Sequence, residues 1–147
     1  MSDSDLMQLY SRRILALTTV IPHLGRLTDP QAEATRRAPH CGSSVSVQLR
    51  LSGGRIAEFA QEVRACALGQ ASASVLGQAV IGCDRAEIAA ARDALRAMLK
   101  DEAPPPGAPF DALEALTPAR AYPNRHASIL LAWDATLDAM DQAAKAA

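Results

Sequence analysis

The spacing of apolar positions changes several times along the chain, and each change marks an element. Over residues 5–21, Leu6, Leu9, Tyr10, Ile14, Leu17 and Ile21 recur at three- and four-residue steps. This predicts a first helix with Asp5 as its N-cap and Pro22 at its end. Residues 22–40 mix Pro, Gly, Thr, Asp and charges without a period and read as a long irregular connection. Over 44–51 the period becomes two: Val45, Val47, Leu49 and Leu51 alternate with Ser44, Ser46, Gln48 and Arg50, the pattern of a half-buried strand. Ser52-Gly53-Gly54 is a hairpin turn, and residues 55–65 continue as one or two strands anchored by Ile56, Phe59 and Val63. After Cys66 the pattern is helical again over 68–81, with Gly82 as punctuation. Asp84 and Glu87 form a capping box for a helix reaching about Lys100. Pro104-Pro105-Pro106-Gly107 marks an exposed linker near 103–109, residues 110–116 a short helix, and Arg125 to Lys145 the last helix.

Strands early and helices late predict an α+β fold: a small antiparallel three-stranded sheet with helices packed on one face. No internal repeat or second apolar core breaks the chain, so residues 1–147 read as one domain. Hydrophobic residues make up 49% and aromatic ones 3%, so alanine and leucine carry the packing. The net charge of −1 offers no basic excess for a phosphate backbone, which argues against a general nucleic-acid binder. No apolar run is long enough to span a bilayer, and the acidic, polar start does not read as a secretory signal; a cytoplasmic protein is expected. Three cysteines do not make a disulfide framework, and in a reducing compartment they are thiols, thiolates or metal ligands.

Three stretches hold the residues with chemistry: Pro39-His40-Cys41-Gly42-Ser43 before the first predicted strand, Cys66 to Ser74 where strand passes into helix, and Tyr122 to Trp133 entering the last helix. Each lies at an element boundary, and such boundaries can converge at one end of a sheet. Cys66 precedes a helix N-terminus, where amides and dipole favour the thiolate, although a cysteine between two alanines could equally be a buried small hydrophobe. Cys83 reads as incidental, His23 and His40 as surface residues, and Trp133 as core. The Ala71-Ser72-Ala73-Ser74 run reads as close helix packing, because no His/Asp pattern accompanies it.

The three stretches together resemble the U-type iron–sulfur scaffold family, the IscU, SufU and NifU N-terminal proteins, and most closely its SufU branch. Pro39-His40-Cys41-Gly42 resembles the family's first turn, Cys66 to Ser74 its second segment, and Tyr122-Pro123-Asn124-Arg125 with Leu131-Ala132-Trp133 its third. The likeness runs in order over nearly the whole chain. It implies a SufE/IscU-like fold and a role in iron–sulfur cluster assembly, as scaffold or sulfur acceptor rather than as an ordinary enzyme. It also implies a transient cluster or iron as cargo, and a cysteine desulfurase and cluster-acceptor proteins as partners; a homo-oligomer is left open. By the same resemblance Cys41 and Cys66 hold iron or sulfur, Cys41 accepts persulfide, and Arg125 steers anions.

The chain departs from the family at two ligands. Ser43 stands where the family has Asp. With Trp133 setting the register, Ser128 stands where it has its third Cys; in an IscU-like register His126 falls on the family's His and Ala127 on its Cys. A cluster or structural zinc needs four good donors, and a serine hydroxyl is a poor one. His126 is then the candidate replacement ligand, with His40 behind it. Two other readings stay open: an interaction or regulatory module of the desulfurase system without its own chemistry, and a zinc-binding sulfur-transfer protein.

Overall fold

A computed structural model describes residues 10–39 and 42–146. In chain order these form α1 (Arg12–Thr19), β1 (Ala32–Arg37), β2 (Ser44–Ser52), β3 (Arg55–Arg64), α2 (Ala67–Ala79) and α3 (Arg85–Lys100). A 3₁₀ helix, Asp111–Ala121, and a 3₁₀ turn, Pro123–Arg125, then lead into α4 (His126–Ala146). The three strands make one antiparallel sheet in the order β1-β2-β3. Val45, Val47 and Leu49 of β2 are buried beneath α4, the central helix, which packs on β1 and β2 and is flanked by α2 and α3. This is the α+β arrangement that the change of period predicts.

The β2–β3 hairpin follows from local chemistry. Gly53 and Gly54 have φ of +60° and +78°, the left-handed pair a two-residue turn of this hand requires. β3 is one strand, with a register shift after Arg50 that pairs Leu51 with Ile56. The third strand is therefore β1, inside the stretch that reads as an irregular connection. Its inward positions are only Ala32 and Ala34, among charged neighbours, so it carries almost no hydrophobic alternation. Pairing with β2 and cover from α4 make it a strand.

Within the described residues α1 starts after Ser11 and ends two residues before Ile21. Ser11 is its N-cap and accepts from Ile14 N at 3.4 Å; the expected cap Asp5, with Leu6 and Leu9, lies outside the described residues. The helix stops at Thr19, where Thr18 and Thr19 bond back to the carbonyls of Leu15 and Ala16 at 2.7 Å. Asp84 caps α3 as expected, accepting from Glu87 N at 2.8 Å. The expected short helix at 110–116 is an eleven-residue 3₁₀ helix. Pro118 within it has no N–H for an α-helical ladder, yet Leu113, Leu116 and Ala119 are all buried. In the Pro-rich segment, Pro104 and Pro105 are exposed while Pro106 is buried.

Trp133 is fully buried and meets Phe110 edge-to-face, with centroids 5.0 Å apart. Its Nε1 donates to Ser72 Oγ at 3.0 Å, and Ser72 Oγ donates to Ile129 O at 2.7 Å. Ser74 Oγ donates to Val20 O at 3.0 Å. Both serines thus hold α2 to its neighbours. No helix among the described residues is long and apolar enough to cross a membrane.

Candidate thiol site

One end of the sheet gathers parts of all three chemistry-bearing stretches. The β1–β2 connection closes when Ala38 N donates to Ser43 O at 2.9 Å, and Ser43 is turned inward with 4% exposure. β3 ends at Arg64, and Cys66 becomes the N-cap residue of α2. The first full turn of α4 brings in Ser128, which is 1% exposed.

These three side chains form a chain of polar atoms. Ser128 Oγ lies 3.7 Å from Cys66 Sγ and donates to Ser43 Oγ at 3.1 Å. The partners are 62 and 85 residues apart in sequence. Gly69 makes room for them: a Cβ there would sit 2.7 Å from Ser128 Oγ and 2.7 Å from Ala65 Cβ. Ser128 has a single proton to give. With Cys66 protonated, the thiol can donate to Ser128 and Ser128 to Ser43. With Cys66 ionised, Ser128 can turn its proton to the sulfur and accept from Ser43 instead.

Cys66 is half-buried, and that burial alone would raise its pKa. The amides of Gly69 and Leu68 at the start of α2, the Ser128 hydroxyl and the Arg125 side chain outweigh it and hold the thiol below its ordinary value. Cys83 is the contrast. Burial first, then Glu87 close by, pushes it up to about 11, and its thiol donates to Ala79 O at 3.1 Å. Of the two, Cys66 is the one whose surroundings favour the thiolate.

The other candidates fall elsewhere. Cys41 and His40 lie outside the described residues. His126 is buried, with Nε2 2.8 Å from Ala119 O and Nδ1 without a partner among the described residues. The ring thus faces the 3₁₀ helix, while Ser128, two residues on, faces Cys66. Burial lowers its pKa, so it is held neutral. Ala127 is exposed. The register set by Trp133 is therefore the one in which α4 turns a side chain toward Cys66, and that side chain is Ser128. Sequence reasoning notes Ser43 and Ser128 as departures but misses their bond and the close approach at Gly69. A glycine three residues after Cys66 in a helix's first turn is the signal that could have found the latter.

The family model of the NifU-like N terminal domain matches residues 9–140. The chain belongs to this family. It is 27% identical over 124 residues to the iron–sulfur cluster assembly scaffold protein IscU of Streptococcus pyogenes, covering 84% of this chain and 77% of that protein. The crystal structure of a nitrogen-fixing NifU-like protein (N-terminal) from Brucella abortus superposes with a TM-score of 0.93 at 42% identity, over 97% of this chain and 99% of that one. A SUF-system assembly scaffold from Fervidobacterium islandicum, at 20% identity and a TM-score of 0.81 over 91% and 98% of the two chains, shares the fold.

Whether a resident metal ion suits this member of the family depends on its donors. Among the described residues no group of three or more His, Cys, Asp or Glu is gathered that could hold one. Beside Cys66 stand two serine hydroxyls, protonated near neutral pH and bonded to each other. By themselves these described donors, one thiol and two hydroxyls, do not fit an ion that takes four thiolate, imidazole or carboxylate donors.

Proposed function

We propose that the chain serves iron–sulfur cluster assembly as a U-type scaffold that works through thiolate chemistry, with Cys66 and Cys41 receiving sulfur from a cysteine desulfurase. Family membership supports the process. The observation that carries the chemistry is the setting of Cys66: a half-exposed sulfur at a helix N-terminus, within reach of Leu68 and Gly69 amides, the Ser128 hydroxyl and Arg125. Each of these favours an anion on sulfur, and a persulfide is such an anion. In the step, the Cys66 thiolate attacks the outer sulfur of the donor's persulfide. A new S–S bond forms, the donor's S–S bond breaks and the donor leaves as a thiolate, so no outside oxidant is needed. A cluster, as cargo, would meet the two thiols Cys41 and Cys66 and would need further donors from an acceptor or a second subunit.

The test is persulfide labelling of the full chain with a cysteine desulfurase and cysteine. Label on wild type that falls at least tenfold in Cys66→Ser, with the remainder removed by Cys41→Ser, is the expected result. Labelling unchanged in both single variants and in the double variant would overturn the reading. The Ser43–Ser128 bond favours one other reading, a module that binds the desulfurase without carrying sulfur; binding without any label would select it.

A further inference from the structure

The sixteen carboxylates of the chain are unevenly placed. None falls in residues 34–57, 63–83 or 115–133, the three stretches that supply Ser43, Cys66 and Ser128. Arginines do fall there, and most are engaged. Arg36 binds Asp138, Arg50 reaches Asp29 and Glu58, Arg55 reaches Asp84 and Glu87, and Arg120 donates to the carbonyls of Met98 and Ala103. Arg37, Arg64 and Arg125 have no carboxylate partner among the described residues.

Those three share one end of the molecule. Arg37 and Arg64 flank Ser44 in a single row across the sheet, so their side chains share a face. Arg36, Val45 and Val63 make the next row, directed toward α4, so the Arg37–Arg64 row faces away from the helices. Arg64 is two residues from Cys66, and Arg125 lies beside its sulfur. Arg37 and Arg64 are exposed and Arg125 half-buried. The nearest acid on that face, Glu62, is already held by Arg26 at 2.6 Å. A chain with a net charge of −1 thus keeps, among the described residues, a rim of cations without carboxylate partners beside its thiol.

We propose that this rim is a docking surface for an acidic face of the protein that delivers sulfur, which Arg37 and Arg64 capture and Arg125 guides to Cys66. This rests on the reading of Cys66 as a sulfur acceptor. Unpaired cations around a thiol raise the local concentration of an oppositely charged partner and set its orientation, an effect that salt screens. A small sulfur anion alone would need Arg125 but not a row on the open sheet face.

The experiment measures association of the full chain with a cysteine desulfurase by stopped flow at several salt concentrations. Arg37→Glu with Arg64→Glu is compared with Arg12→Glu and Arg96→Glu, exposed arginines off this rim. Inorganic polysulfide labelling of Cys66 runs alongside. The rim pair should slow association about tenfold or more at low salt, with the gap closing toward 1 M salt. The control pair should change it less than twofold, and all variants should keep the wild-type melting temperature and polysulfide label. Rim and control pairs that behave alike, or a wild type that does not associate with the desulfurase, overturn the docking surface. Failure of polysulfide to label Cys66 in wild type would instead overturn the thiol reading, with the association arm still deciding the rim.

Discussion

Two serine clusters lie on the same α2–α4 interface, about one helical turn apart. In the first, Ser72 accepts from the Trp133 indole and donates to Ile129 O, so both donors are satisfied inside the protein. In the second, Ser43 and Ser128 bond to each other and the chain ends on Cys66, a titratable atom at the surface. A closed set of hydrogen bonds fixes one packing and has nothing left to do. An open one has a choice of proton positions, and that choice favours an anion on sulfur. The residue types are nearly the same; where the chain of bonds ends separates stabilisation from chemistry.

The largest effect is expected in the closed cluster. Trp133→Ala removes a fully buried ring and leaves Ser72 Oγ without its indole donor, and should cost about 3–5 kcal/mol in urea unfolding. A loss under 1 kcal/mol would mean the cluster is not the anchor described. On the open side, Ser43→Asp with Ser128→Cys supplies two metal donors where two hydroxyls stand. The double variant should retain one zinc ion through gel filtration and gain about 2.7 kcal/mol at a hundredfold excess of zinc over its Kd, while wild type does neither. Equal zinc content in the two proteins would show that the hydroxyls are not what keeps metal out.

Gly69→Ala tests the contact that lets the open cluster exist. Its new methyl meets Ser128 Oγ and Ala65 Cβ at 2.7 Å, so a loss of about 1–3 kcal/mol is expected. A neutral substitution would sink the claim of close approach. The smallest effect belongs to Ser128→Ala, read as the pH profile of iodoacetamide alkylation in a Cys41→Ser background. The Cys66 pKa lies below that of an ordinary thiol, so wild type alkylates at lower pH than free cysteine. Removing the hydroxyl donor should move the midpoint up and slow the reaction at neutral pH. Cys83, pushed up to about 11, should stay unreactive as an internal control. A midpoint that stays put would mean the Leu68 and Gly69 amides suffice without Ser128.

Much of the fold is legible because it is local. The alternation over 44–51, the Gly53-Gly54 turn, the Asp84 cap and the start of the last helix each depend on neighbours within a few residues, and each appears where its signal stands. β1 is not legible in this way, since two alanines among charges give no period until β2 and α4 surround them. The 3₁₀ helix is likewise half-read: the apolar positions Leu113 and Leu116 mark a helix, while its 3₁₀ winding and its extension to Ala121 appear only in the structure.

The site divides along the same line. The sequence by itself placed Cys66 at a helix start, made Trp133 core, and marked positions 43 and 128 as serines where the family carries ligands. It left open whether position 126, 127 or 128 faces the thiol. Only the tertiary structure decided that, by setting α4 against α2 so that Ser128 reaches Cys66 while His126 turns to Ala119. The reason is one of range. A cap or a turn is determined by bonds within one turn of chain, but the rotation of a helix is set by everything it packs on, here Gly69, Ser72 and Phe110 at once.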